Sequence, residues 1–131
     1  MNETYPVDRA RLIDTAEQYF AAVDAKNIDR VLGFFVPDAT FTIATYDTVY
    51  RGRDGEIRGM FERLFARYEG IWHGDFDHVV ESPSRLACHF RVVNTAANGQ
   101  RWHKHNCNFF RTRGGLFDEV FVFMSGDNAL R

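Results

Sequence analysis

Asp24 is a carboxylate in a place that disfavours one. Leu12, Ile13, Ala16, Tyr19, Phe20 and Val23 recur at i, i+1, i+4, i+7, i+8 and i+11, the spacing of one helix face, and Asp24 falls in the last turn of that helix. There the macrodipole opposes a negative charge by some tenths of a kcal/mol, up to about 1, so the carboxylate invites a partner. It follows Phe20 by four residues and can face the same interior. The plainer use of an Asp here is to bond nearby backbone N–H groups or water. A second grouping is His103-x-His105. On a strand both rings share one face about 7 Å apart, a geometry that can chelate zinc. Cys107 continues that face but lies about 13–14 Å from His103, too far to share one ion, and no third ligand is evident. Alternation sets His103, His105 and Cys107 against Lys104, Asn106 and Asn108. If the asparagines face a pocket, the histidines face outward, unless a bulge reverses the assignment.

The elements that position these groups follow from pattern. Asp8 is a suitable N-cap for the first helix. Asn27 restarts a short helix carrying Ile28, Val31, Leu32 and Phe35, which Pro37-Asp38 stops. Residues 39–44 alternate, with Phe41 and Ile43 on one side, as a strand does. Thr48-Val49-Tyr50 is a short partner ended by Gly52. Ile57, Met60, Phe61, Leu64, Phe65 and Tyr68 then keep the helical period, after a cap at Asp54. From Ile71 the chain turns to strands, expected near 71–81, 84–95, 101–112 and 116–124. Turns are expected at residues 81–84, at Asn98-Gly99 as a two-residue hairpin, and at 113–115. Helices segregated from an antiparallel sheet define an α+β layer fold. The last strand is apolar on both faces after Glu119, as in strands buried on both sides.

The chain of 131 residues suits one domain. Its 13 Phe, 5 Tyr and 2 Trp exceed what a minimal core requires and suit either a Phe-rich core or a pocket for a flat organic ligand. A net charge of −2 argues against nucleic acid as a partner. The arginines at 51, 53, 58, 63 and 67 are interleaved with Asp54, Glu56, Glu62 and Glu69, a solvated face. No run of eighteen apolar residues predicts a membrane span, and residues 1–4 do not resemble a secretory signal. Cys88 and Cys107 form no metal motif, so the expected setting is the reducing cytoplasm.

The element order, the run Tyr19 to Val31, Phe34-Phe35-Val36-Pro37-Asp38-Ala39-Thr40-Phe41 and the turn at residues 50–55 resemble the nuclear transport factor 2-like superfamily. That group includes SnoaL-like polyketide cyclases, ketosteroid isomerase and scytalone dehydratase. The resemblance spans nearly the whole chain. It implies a cystatin-like roll: a cone-shaped, curved, mixed sheet wrapped by three helices, in the order α-α-β-β-α-β-β-β-β, around a hydrophobic pocket. It also implies that one sheet face packs on a second copy, giving a homodimer. By similarity to scytalone dehydratase, His73 and His89 fall at the two catalytic histidines and Asp24 at the aspartate that pairs with the second. Its tyrosine becomes Val23 and its serine Asn106, while its asparagine is kept as Asn108. By similarity to ketosteroid isomerase, Tyr19 matches the oxyanion tyrosine and Asn108 the protonated aspartate, but the base falls at Ile43, which accepts no proton. Tyr19, Phe20, Phe61, Asn106, Asn108 and Met124 are then the expected pocket lining. Asp127 stands where such sequences often carry an aspartate, to cap the pocket mouth or only the terminus.

The activity this implies is acid–base catalysis on a small apolar carbonyl compound, of isomerase, cyclase or dehydratase type, with no cofactor or metal. Asp24 would orient His89, His89 would act as base, His73 would assist, and Tyr19 with Asn108 would polarise the oxygen. The alternatives are a non-catalytic ligand-binding or dimerisation module of the same fold, and a small subunit packed on a larger oxygenase.

Overall fold

A computed structural model describes residues 4–131, with side chains from residue 9 onward. The elements are α1 (Thr4–Asp24), α2 (Ile28–Leu32), β1 (Phe35–Ile43), β2 (Thr48–Arg51), α3 (Arg58–Arg67), β3 (Gly70–Ser82), β4 (Arg85–Thr95), β5 (Arg101–Arg113) and β6 (Leu116–Met124). One six-stranded sheet runs β2-β1-β6-β5-β4-β3. Among the described residues only β1 and β6 pair parallel, so the sheet is mixed but mostly antiparallel, within an α+β fold. Among the described residues no helix is long and apolar enough to cross a membrane.

Several boundaries differ from the sequence reading for local reasons. α1 is already formed at Thr4, so the start expected at Asp8 falls a turn inside it. Pro6 sits in that first turn, where a missing N–H costs nothing. Phe35 opens β1 rather than closing α2. Pro37 lies within β1, where the register against β6 breaks between Phe35 and Thr40, so its lack of a donor is tolerated. Asp54 does not cap α3: it pairs with Arg53, and a π-type turn over Gly52–Ile57 leads into the helix. The Asn98-Gly99 turn is longer than a two-residue hairpin. Ala96 N–H donates to the Gln100 carbonyl at 2.9 Å, and only Gly99 takes positive φ, at 88°. Asn98 instead accepts the Gln100 N–H at 3.0 Å through its side chain.

The helices cover one sheet face, and the core between is aromatic. The Tyr19 ring lies 5.0–6.3 Å from Phe20, Phe34, Phe35, Phe61, Phe110 and Phe117. Pairs at such spacing add about 0.5–1.5 kcal/mol each beyond their burial. On β6, Val120, Val122 and Met124 face this core while Phe121 and Phe123 face away. β6 is therefore not buried on both sides within one chain: Phe123 is 47% exposed.

Candidate functional site

Asp24 is held in place by the way α1 ends. The Lys26 N–H donates to the Val23 carbonyl at 2.9 Å and the Asn27 N–H to the Ala22 carbonyl at 3.0 Å, the paired bonds of a Schellman stop. That stop needs a left-handed residue, and here it is Lys26 at φ 55° rather than glycine. The conformation costs a β-carbon residue about 1–2 kcal/mol. The Lys26 ammonium donates to the carbonyls of Phe65, at 3.0 Å, and Tyr68, which ties the stop to the end of α3. Asp24 thus sits in the final turn with its side chain turned to β3.

Its partner is His73. The Asp24 Oδ2 accepts the His73 backbone N–H at 3.0 Å, and its Oδ1 lies 2.5 Å from His73 Nδ1. A carboxylate only accepts, so Nδ1 is the donor of this contact, and in the neutral imidazole Nε2 is then the acceptor. Phe20 and Phe90 wall the imidazole at ring distances of 4.9 and 5.6 Å. A bulge in β3 between Gly74 and Asp77 sets up this arrangement, with Asp75 at φ 54°. It brings both His73 and Phe76 to the helix side. A β-carbon at Gly74 would lie 2.2 Å from the Trp72 ring, which would then have to turn away.

The expected pairing of Asp24 with His89 is not made. His89 projects from the opposite face of the sheet, in register with Asp77 and Cys107, and its ring stacks on His105 at 5.9 Å. The physical reason is alternation: Leu86, Cys88, Phe90 and Val92 fill the inner positions of β4, so His89 takes an outer one. His103, His105 and Cys107 share that outer face, as the inward asparagines require. Among the described residues no three His, Cys, Asp or Glu side chains gather as a metal site.

His73 borders a cavity of about 40 Å³. Asn106 and Met124 also line it, together with Leu64, Ile71, Val92, Asn94, Lys104, Ala129 and Leu130. Asn94 and Asn106 are buried with no partner for Oδ1. Tyr19, Phe20, Phe61 and Asn108 do not reach the cavity. The first three belong to the aromatic core, and Asn108 is buried with its Oδ1 also unpartnered. Burial, and then the nearby Asp24 charge, push the Tyr19 phenol above its ordinary range, so it stays a neutral donor. A wider groove of about 240 Å³, lined by Arg11, Leu12, Thr15, Pro83, Thr112 and Gly115, lies two to three turns back along α1 and holds no acid–base pair.

Sequence reasoning missed Asn94 and Lys104 as cavity lining and, of the closing segment after β6, singled out only Asp127. A signal for the first existed: Asn94 ends the inward apolar row of β4, where a polar residue has no plain packing use. The segment after Met124 crosses the cavity mouth. Tyr50 hydroxyl donates to the Leu130 carbonyl at 3.0 Å, and Arg67 donates to the carbonyls of Ala129 and Arg131 at 2.5 and 2.7 Å. The side chain of Asp127 is exposed, while its backbone carbonyl accepts from Lys104.

This architecture is that of the nuclear transport factor 2-like fold. The chain belongs to the SnoaL-like domain family, which matches residues 16–120. Solved structures agree in fold. A candidate polyketide cyclase from Xanthomonas campestris pv. campestris is 19% identical, with a TM-score of 0.78 over 88% of this chain and 91% of that one. A protein of ketosteroid isomerase-like fold from Catenulispora acidiphila, solved with trimethylamine, is 15% identical, with a TM-score of 0.74 over 83% of each chain. A candidate scytalone dehydratase from Novosphingobium aromaticivorans is 12% identical, with a TM-score of 0.76 over 100% of this chain and 93% of that one. A comparison with curated proteins finds no match.

Proposed function

We propose that this protein catalyses proton transfer on a small carbonyl compound, with Asp24 and His73 as its acid–base pair. The observation that carries this is the 2.5 Å contact between Asp24 Oδ1 and His73 Nδ1 beside a cavity with unpartnered polar groups. Asp24 fixes the tautomer and supports the imidazolium that forms, while Nε2 takes a proton from a carbon next to the carbonyl. Side chains suffice for such chemistry, and isomerase, cyclase or dehydratase outcomes differ only in where the proton and leaving group go. The base is thus assigned to His73, not His89.

A carboxylate–imidazole contact alone does not make a catalytic pair. Glu17 Oε2 lies 2.7 Å from His78 Nε2, and neither residue lines the cavity. That second tie between α1 and β3, with the small volume of the cavity, favours the other reading: a ligand-binding module in which both pairs only dock the helix. Deuterium exchange separates the two. Small enolisable ketones in D2O, followed by proton NMR, are expected to lose their α-protons faster with the protein than in buffer. His73→Asn is expected to lower that gain by about a hundredfold or more. An equal gain with wild type and His73→Asn removes His73 as the base, and no gain with either while ketones still raise the melting temperature selects the binding module.

We further infer a homodimer through the outer sheet face. Phe109 and Phe123 form an edge-to-face pair there, 42% and 47% exposed, and Val79 is 62% exposed. The ion pairs Arg91–Asp75 and Arg111–Glu119 lie on the same face. A face carrying both signs suits self-pairing about a two-fold axis.

A further inference from the structure

Lys104 is a charge without a contact counter-ion. It is 5% exposed, and no carboxylate lies within ion-pair distance of its ammonium among the described residues. Two of its three protons go to the carbonyls of Ser125, at 3.0 Å, and Asp127. The third has no protein acceptor among the described residues. Beside it in the same cavity wall stand Asn94 and Asn106, 2% and 8% exposed, each with an unpartnered amide oxygen. Buried polar groups are almost always satisfied, and buried charges are almost always paired. One cavity wall thus offers a charge and two polar groups to whatever enters it.

We propose that Lys104, Asn94 and Asn106 form an anion subsite that takes the carboxylate of a small organic acid. This rests on the acid–base site described above and names its substrate class. Lys104 supplies the opposite charge and the free N–H. Either asparagine, turned about its last side-chain bond, presents an NH2 to the second carboxylate oxygen, or in its present sense accepts a hydroxyl of the same ligand. Burial lowers the Lys104 pKa, with the exposed Asp127 charge acting against it, as expected for an ammonium that lacks its anion.

The sheet sets the reach. His73 pairs with Val92, and Val92 pairs with Lys104, so the two groups stand in one row across three strands. At about 4.8 Å per strand step their backbones are about 10 Å apart, with the inward Val92 between them, and all three line the cavity. The cavity of about 40 Å³ sets the size: a water needs at least about 10–15 Å³, so it holds about three waters or one acetate.

Acetate is the direct probe, with acetamide as its neutral counterpart, titrated into the full isotope-labelled chain at constant ionic strength and read by NMR. Acetate is expected to shift the side-chain amides of Asn94 and Asn106 and the backbone amides of residues 125–127, saturably and more tightly than acetamide. Lys104→Met is expected to weaken acetate by about tenfold or more, with Lys104→Arg keeping part of the affinity. Acetamide binding as well as acetate, shifts confined to exposed arginines, or undiminished binding in a folded Lys104→Met would overturn the proposal. The acetate–acetamide comparison uses the wild-type protein, so it decides even if the methionine variant does not fold. Ketone exchange lost with acetate binding intact removes the acid–base reading and keeps the subsite; the reverse pattern removes the subsite alone.

Discussion

Removing the Asp24 carboxylate tests the tie on which the site depends. Asp24→Ala deletes two charge-assisted hydrogen bonds, to the His73 backbone N–H and to Nδ1. Bonds of this kind contribute about 1.5–3 kcal/mol each. The side chains of Asp24 and His73 are 24% and 12% exposed, so water replaces only part of what is lost. Relief of a negative charge at a helix end returns about 0.3–1 kcal/mol. The expected net cost is therefore about 2–4 kcal/mol. Glu17→Ala is the internal control: it deletes one contact, and its carboxylate is 44% exposed, so about 1 kcal/mol is expected. Urea unfolding followed by circular dichroism measures both, and a double-mutant cycle of Asp24→Ala with His73→Ala isolates the coupling. A coupling below about 0.5 kcal/mol, or an Asp24→Ala cost no larger than that of Glu17→Ala, would refute the reasoning that this pair is held as a rigid unit.

Two further outcomes are expected. Phe123→Glu places a charge in the exposed aromatic pair of the outer face and is expected to shift sedimentation from dimer to monomer with the fold unchanged by circular dichroism; a wild type that sediments as a monomer at the highest concentrations removes the dimer. Burial pushes the Cys88 thiol up to about 12, so its thiolate is negligible at pH 8. Native protein treated with iodoacetamide at that pH is expected to label Cys88 only after urea is added, read by peptide mass spectrometry; prompt native labelling would show that β4 opens or that its inner face is wet.

Much of this molecule was legible in the chain. Period-two alternation located β3 to β6 to within a residue or two, because a strand with one face in a core must repeat apolar residues at that period. The same rule already held the answer for His89. It shares its phase with Arg85 and Arg91, against Leu86, Cys88, Phe90 and Val92, and so belongs on the outside. Resemblance to scytalone dehydratase pointed the other way, and the packing of this strand decided against it.

The sequence by itself determined the elements, the α+β layering and a lone carboxylate at the end of the first helix. It did not say which histidine that carboxylate meets. The choice falls to β3, the sheet edge along which α1 lies, and to a bulge at residues 74–77 that resets which side chains face inward. Nor did it show that Lys104, Asn94 and His73 share one cavity, since they come from three strands joined only by register. Local pattern fixes each residue's side relative to its neighbours in its own element; which elements face each other is set by the packing of the whole.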